Sequence, residues 1–181
     1  MDDRATRAID VHRSLLERWR GAMDLVGPGP SEPHFVDAIA VVSELDVSGQ
    51  WADLGSGAGF PGIALAAVHA NAQITLAESR LKRATFLKRV VHTAKLENTT
   101  VHHGRTEELA DGEWDGVISR AYKPPDLFLD DAGRLLKSGG MAVLMLGEEA
   151  EIPSHASFTL MERSTYAVPD GRRQRVVLIK I

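Results

Sequence analysis

Four glycines follow a short apolar run in the segment WADLGSGAGFPGIAL at residues 51–65. Glycine adopts positive φ without steric cost and lets backbone amides approach a bound molecule closely. An acid at the end of the next predicted strand, Glu78, lies about 20 residues further along, which is the spacing of ribose-binding acids in nucleotide-binding folds. We therefore predict that the loop and Glu78 bind a nucleotide-type ligand. A glycine turn that binds nothing, with Glu78 capping the following helix, is the alternative.

The glycine spacing leaves two kinds of nucleotide open. Residues 57–62 satisfy the dinucleotide fingerprint Gly-x-Gly-x-x-Gly. Pro61 lies between the last two of these glycines, however, where a helix start that binds a diphosphate needs free amides. The longer string Asp-x-Gly-x-Gly-x-Gly at 53–59 resembles motif I of the class I methyltransferases, in which the glycines pass beside the methionine part of S-adenosylmethionine. That resemblance favours S-adenosylmethionine over a dinucleotide.

Hydrophobic periodicity predicts the elements that would position this loop. Strands and helices alternate from residue 50 onward, which indicates a mostly parallel seven-stranded sheet with helices on both faces. The segments 157–168 and 173–181, joined by a Pro-Asp-Gly turn, predict a C-terminal antiparallel hairpin. We expect an α/β fold that is Rossmann-like and of the class I methyltransferase type.

The chain is predicted to form a single domain over residues 1–181. Residues 4–24 and 34–45 have helical spacing of apolar side chains and are separated by the helix-breaking sequence GPGPSEP. These two helices would make an N-terminal helical cap over 1–45. Residues 50–181 would make the cofactor-binding core.

Two local patterns predict details of this core. The sequence KSGG at 137–140 is predicted to end a helix over 125–136. A further helix over 80–95 is predicted to turn four apolar residues toward the sheet. These residues are Leu81, Ala84, Leu87 and Val91.

The charge balance limits the classes of partner. The 181 residues carry 21 Lys and Arg against 25 Asp and Glu, a net charge of −4, which argues against a general nucleic-acid binder. A basic strip in the helix over 80–95 would still suit RNA phosphates, with a solvated helix face as the alternative. The candidate RNA-contact residues are Arg80, Lys82, Arg83, Lys88 and Arg89.

The amino-acid usage also bears on the compartment. The sequence has no cysteine, no apolar run long enough to span a bilayer, and an N-terminus that is charged throughout. The histidines show no spacing typical of metal ligands. We therefore expect a cytoplasmic monomer with neither a membrane partner nor a metal.

Several segments agree in order and spacing with one family over nearly the whole chain. The strongest are DLGSGAGFPGI at 53–63, ESRLKRATFLKRV at 78–90, LENTTVHHGRTEEL at 96–109 and DGVISRA at 115–121. Weaker echoes are WRGAMDLVG at 19–27, HFVDAIAV at 34–41 and the closing DGRRQRVVLIKI. Together these segments resemble the GidB/RsmG methyltransferases, which methylate guanine N7 in bacterial 16S ribosomal RNA.

The resemblance implies an S-adenosylmethionine-dependent transfer of methyl to ribosomal RNA, free or in the small ribosomal subunit. Glu78 would hold the ribose, and Thr106 and Glu107 would flank the adenine. Gly55 and Phe60 would lie at the methionine end, and Arg120 would close the site beside the methyl donor. The implied cofactor-binding residues are Gly55, Gly57, Gly59, Phe60, Glu78, Thr106, Glu107 and Arg120.

Each of these assignments has a structural alternative. Arg120 can form a structural salt bridge at a strand end, and Phe60 can be a plain core residue. Glu107 can belong to a solvated helix end. No catalytic side chain is assigned, because guanine N7 carries no proton and its methylation needs no general base.

Three departures from the family pattern affect the acceptor more than the cofactor. The usual lysine near the end of the fifth strand is replaced by Met-Leu-Gly at 145–147, and the usual Asn-Leu-Thr after the first helix by Asp-Leu-Val at 24–26. The stretch between Glu148 and Phe158 is short. A small molecule, a protein or another RNA as acceptor therefore remains an alternative, and a dinucleotide-binding protein a further one.

Overall fold

A computed structural model describes residues 1–23 and 25–181 of the chain. Five helices and seven strands follow in the order α1, α2, β1, α3, β2, α4, β3, β4, α5, β5, β6, β7, with a 3-10 turn at Thr106–Glu108 before β4. The helices are α1 Asp3–Met23, α2 Glu32–Val42, α3 Gly62–Val68, α4 Leu81–Ala94 and α5 Pro125–Leu135. The strands are β1 Gln50–Leu54, β2 Gln73–Glu78, β3 Thr99–His103, β4 Trp114–Ser119, β5 Leu136–Gly147, β6 Phe158–Val168 and β7 Gly171–Lys180. Asp24, in the predicted 4–24 helix and the Asp-Leu-Val segment, lies outside the described residues.

The seven strands form one mixed sheet in the order β3-β2-β1-β4-β5-β7-β6. The five strands β1 to β5 run parallel, and β7 pairs antiparallel with β5 and β6. The hairpin turn falls at Pro169-Asp170, between the paired residues Val168 and Gly171. The predicted α/β fold and its C-terminal hairpin are confirmed. The carboxyl ends of β1, β2 and β4 meet at one edge of the sheet, where open α/β sheets bind ligands.

Helices cover both faces of the sheet. Residues of α1, α2, α3 and α4 form one buried cluster with the sheet, whereas α5 belongs to a second. Leu16 of α1 and Phe35 of α2 are almost fully buried, so the N-terminal helices share the core of α3 and α4. Gly62 begins α3 so close to β2 that an added Cβ would lie 2.3 Å from Leu76 Cδ2. A larger residue there would push the start of α3 away from β1 and β2.

One local prediction was wrong, the inward position of Leu81. Leu81 is 65% exposed, while Phe86 and Val90 are buried. At 3.6 residues per turn Leu81 lies on the opposite side of α4 from Val90, so the burial of Val90 leaves Leu81 in solvent. The predicted end of the helix before KSGG is confirmed within one residue, since α5 ends at Leu135, and β5 begins directly at Leu136.

No helix within the described residues is long and apolar enough to cross a bilayer.

Candidate functional site

A cavity of about 380 Å³ opens at the carboxyl edge of the sheet, between β1, β2, β4 and the start of α4. This volume lies within the range of small-ligand sites. We call it the Glu78 cavity. Its lining is mainly polar and comprises Gly55, Ala77, Glu78, Ser79, Arg80, Arg83, Gly104, Arg105, Thr106, Glu107, Ala121, Tyr122 and Lys123.

Glu78, the last residue of β2, is only 5% exposed, yet its side chain lines this cavity. Its Oε2 accepts a hydrogen bond of 2.9 Å from the Gly57 amide, and its Oε1 accepts one of 2.7 Å from the Arg80 amide. A carboxylate offers about four acceptor positions, so two remain for a ligand. This arrangement suits the two hydroxyls of a ribose, and the backbone of both flanking loops fixes its orientation.

The loop after β1 uses its glycines for different purposes. Gly55, Gly57 and Gly59 all have positive φ, at 69°, 56° and 95°. An added Cβ on Gly55 would lie 2.5 Å from Tyr122 Cδ2, whereas one on Gly57 would meet nothing closer than 3.7 Å. An added Cβ on Gly59 would lie 2.7 Å from Ile63 Cγ1 of α3. Gly55 therefore keeps the cavity open, and Gly59 permits close packing of the loop on α3.

The opposite wall comes from the segments after β3 and β4. The Tyr122 hydroxyl donates a 2.7 Å hydrogen bond to Thr106 Oγ1, which joins these two segments across the cavity. Lys123 Nζ lies 3.6 Å from Glu107 Oε1 and 2.7 Å from Asp131 Oδ2. Sequence reasoning missed Tyr122. Its only signal is its position directly after the ISRA segment.

Four of the eight implied cofactor residues line the Glu78 cavity, namely Gly55, Glu78, Thr106 and Glu107. Gly57 reaches it through the hydrogen bond to Glu78. Gly59, Phe60 and Arg120 are not among its lining residues.

Phe60 is 4% exposed and packs edge-on against Phe35 of α2, with ring centroids 4.9 Å apart. The Arg120 guanidinium carbon lies 4.8 Å above the Phe60 ring. Arg120 lines a second, adjoining cavity, and Ala121 lines both cavities. Phe60 thus supports the arginine from below and belongs to the core cluster around α1 and α2.

The basic residues of α4 divide into two groups. Arg80 and Arg83 line the Glu78 cavity at the start of the helix. Lys82, Lys88 and Arg89 are exposed, and within the described part of the chain none of these three forms an ion pair. The candidate RNA-contact strip therefore begins at the cavity mouth and continues along the solvent side of α4.

Two buried titratable groups lie beside the glycine loop. Asp53 is fully buried, and its Oδ2 accepts a 3.0 Å hydrogen bond from the Gly62 amide, while its Oδ1 has no partner among the described residues. Burial raises the pKa of Asp53 to about 7. His12 lies in the core of α1 with Nε2 2.7 Å from Ala58 O, and burial lowers the pKa of its ring to about 4.

Replacement of Asp53 by asparagine is expected to change how stability depends on pH. The folded protein binds this proton more tightly than the unfolded chain, so Asp53 contributes stability that is fully present below its unfolded pKa of 3.8 and is lost as pH rises through about 7. Asparagine does not titrate. The free energy of unfolding of Asp53→Asn, relative to the unchanged protein, should therefore rise by about 2 kcal/mol between pH 5 and pH 8.

Urea denaturation at those two pH values measures this difference, and His12 contributes equally to both proteins. A difference that stays constant between pH 5 and pH 8 would show that Asp53 is ionised normally in the fold.

No group of three or more His, Cys, Asp or Glu side chains in the described ranges could hold a metal ion.

Comparison with known proteins relates most of the chain to one family. Residues 12–173 match the family GidB, described as rRNA small subunit methyltransferase G. The chain is 33% identical over 177 residues to the Ribosomal RNA small subunit methyltransferase G of Pseudomonas putida strain GB-1, an alignment that covers 92% of this chain and 81% of that protein. The protein of the same name from Vibrio vulnificus is 33% identical over 189 residues, with coverage of 98% and 89%.

A solved structure shares the fold. The crystal structure of M. jannaschii TYW2 in complex with AdoMet matches with a TM-score of 0.64 and 16% identity, over 88% of this chain and 81% of that one.

Proposed function

Because this chain belongs to the GidB family, we propose that it transfers the methyl group of S-adenosylmethionine to N7 of a guanine in the 16S RNA of the small ribosomal subunit. The cofactor assignment rests mainly on the environment of Glu78. Its carboxylate is buried, has two free acceptor positions and faces a cavity that Gly55 keeps open. The activity for which the GidB family is named, methylation of small-subunit ribosomal RNA, supports ribosomal RNA as the acceptor. We further infer that the protein is a monomer and works in the cytoplasm, where its substrate lies.

The residues of the Glu78 cavity suit each part of an adenosine-containing sulfonium. Glu78 would accept hydrogen bonds from the ribose hydroxyls, and the bare backbone at Gly55 would leave room for the methionine part. Thr106 and Glu107 would border the adenine on the wall that Tyr122 joins. S-adenosylmethionine supplies an electrophilic methyl group on sulfur.

The chain's own contribution to the reaction is alignment. Guanine N7 has a lone pair and no proton to lose, so the enzyme must bring this nitrogen, the methyl carbon and the sulfur into line and exclude water. Alignment of this kind can contribute roughly 7–11 kcal/mol to lowering a barrier. Arg120, held over Phe60 at the junction of the two cavities, would position the acceptor beside the methyl group.

Reversal of charge on the solvent side of α4 is expected to weaken RNA binding. The double change Lys88→Glu with Arg89→Glu removes two cations that are free to contact phosphates, and we expect roughly a tenfold rise in the dissociation constant for small-subunit RNA with the affinity for S-adenosylmethionine unchanged. The dependence of binding on salt should become shallower. Filter binding at several salt concentrations measures both effects.

The matched control is Arg7→Glu with Arg18→Glu, which makes the same charge change at exposed positions of α1. Equal losses in the two double variants would mean that overall charge, and not the α4 strip, governs RNA binding.

Transfer of label from tritiated S-adenosylmethionine tests the reaction. Small subunits from cells lacking this protein should accept one methyl group each, while large subunits and free nucleosides should accept almost none. Labelling of metabolites or proteins without labelling of small subunits would refute the ribosomal acceptor and favour the alternative methyltransferase function.

A further inference from the structure

A second cavity, of about 350 Å³, adjoins the Glu78 cavity at Ala121. We call it the Asp37 cavity. It lies between the segment before α2, α2 itself, the end of β4 and the β6–β7 turn. Its lining residues are Leu25, Val26, Gly27, Pro33, His34, Asp37, Arg120, Ala121, Asp170 and Arg173.

The polar groups of this cavity are held in a defined arrangement. Asp37 is 8% exposed, and its Oδ1 accepts a 2.7 Å hydrogen bond from the Tyr166 hydroxyl of β6. Its Oδ2 lies 3.3 Å from Arg120 Nη1, which is also 3.4 Å from His34 Nδ1. A donor and a carboxylate therefore stand side by side, and the carboxylate keeps about two unused acceptor positions.

We propose that the Asp37 cavity receives the target base, a guanine turned out of its RNA stack, with Asp37 and Arg120 reading its Watson–Crick edge. This inference rests on the proposed function and names the subsite that selects its substrate. Enzymes that modify a base commonly extrude it into a pocket and read that edge by hydrogen bonds.

The order of groups matches guanine and no other common base. Guanine presents the acceptor O6 beside the donors N1–H and N2–H, which complement the Arg120 donor beside the two free positions of the Asp37 carboxylate. Adenine presents an acceptor at N1, which a carboxylate repels. Leu25, Val26 and Pro33 provide apolar surface for the faces of a planar base.

The same orientation suits transfer to N7. This nitrogen lies on the far side of the purine from N2, so a base whose N1 and N2 point to Asp37 directs N7 away from that residue. The Glu78 cavity adjoins at Ala121, and the methyl group would approach from there.

Competition by free nucleotides tests the selectivity without any variant. The assay is run with saturating S-adenosylmethionine, so that AMP does not compete at the Glu78 cavity. GMP should then inhibit methylation of small-subunit RNA at a concentration at least about tenfold lower than AMP, because each hydrogen bond to a charged group is worth roughly a factor of ten. IMP, which lacks the N2 amino group, should fall between them. Equal inhibition by all three, or no inhibition by GMP at tens of millimolar, would overturn the proposal.

Asp37→Asn links that selectivity to one residue. The variant should lose at least about tenfold in kcat/KM for RNA while its affinity for S-adenosylmethionine stays within twofold, and GMP and IMP should inhibit it equally. Asp46→Asn, at an exposed position beyond the end of α2, is the matched control and should behave as the unchanged protein.

The outcomes distinguish a failure of the proposed methyltransferase function from a failure of the Asp37 cavity as the base site. If the unchanged protein methylates no RNA, the proposed function fails. If it methylates small-subunit RNA but Asp37→Asn keeps full activity and the preference for GMP over IMP, the function stands and the Asp37 cavity is not the base site.

Discussion

Glu78→Ala should weaken the binding of S-adenosylmethionine by at least about a hundredfold. The change removes two charge-assisted hydrogen bonds to the ribose, each worth roughly 1.5–3 kcal/mol. It also leaves the Gly57 and Arg80 amides without the carboxylate that orients their loops. Isothermal titration calorimetry gives the dissociation constant directly.

Two further variants test whether the loss of affinity is due to the Glu78 carboxylate. Glu78→Gln keeps the size of the side chain and one carbonyl acceptor, so its affinity should fall between those of the alanine variant and the unchanged protein. Glu113→Ala removes an exposed glutamate from the loop before β4 and should bind normally. Affinity within threefold of normal in a folded Glu78→Ala protein would rule out Glu78 as the ribose ligand.

Gly55→Val is expected to abolish cofactor binding. The added Cβ would lie 2.5 Å from the Tyr122 ring, and a branched side chain would extend into the Glu78 cavity. The φ of 69° at Gly55 also disfavours a β-branched residue, so a control must separate backbone strain from blockage.

Gly112→Val provides that control. Gly112 has almost the same φ, 66°, but an added Cβ there meets nothing within 4 Å. Both variants carry the same backbone strain, and Gly55→Val should lose more stability in urea because of its added contact with Tyr122. At urea-free conditions where both are folded, only Gly55→Val should fail to bind S-adenosylmethionine in calorimetry. Loss of binding in both, or in neither, would show that blockage of the Glu78 cavity is not the cause.

The sequence predicted the parts of the site that depend on local pattern. The strand–loop–acid pattern predicted that the glycine loop and Glu78 lie at the same edge of the sheet, because β1 and β2 are parallel neighbours. The hydrogen bond between Gly57 and Glu78 is an addition from the structure. The resemblance to the GidB/RsmG family, stated from motifs, is confirmed by the family match over residues 12–173.

The parts that sequence reasoning missed depend on contacts between distant segments. Asp37 comes from α2, Tyr166 from β6 and Arg120 from the end of β4, and no spacing rule along the chain predicts that these three side chains meet. Tyr122 likewise contacts Thr106 from a different loop. The prediction for Leu81 was wrong because the apolar residues of α4 do not by themselves show which side of the helix faces the sheet. The burial of Phe86 and Val90 fixes that side, and Leu81 lies away from it.

No lysine stands near the end of β5, where the family pattern usually has one. Met145 and Leu146 replace it near the end of β5 and lie in the sheet, paired with Arg175 and Gln174 of β7. Arg175 is 5% exposed and donates to Val41 O and Glu162 Oε1, so it stabilises the fold and does not supply the lost cation to the acceptor. Arg120 and Arg173 are the cations that line the Asp37 cavity.

Mass-spectrometric mapping of methylated bases in 16S RNA tests the central claim most directly. The RNA is compared between cells with this protein, cells without it, and cells that carry Glu78→Ala in its place. We predict one 7-methylguanosine that is present in the first RNA and absent from the other two. Identical methylation in all three RNAs would contradict the account.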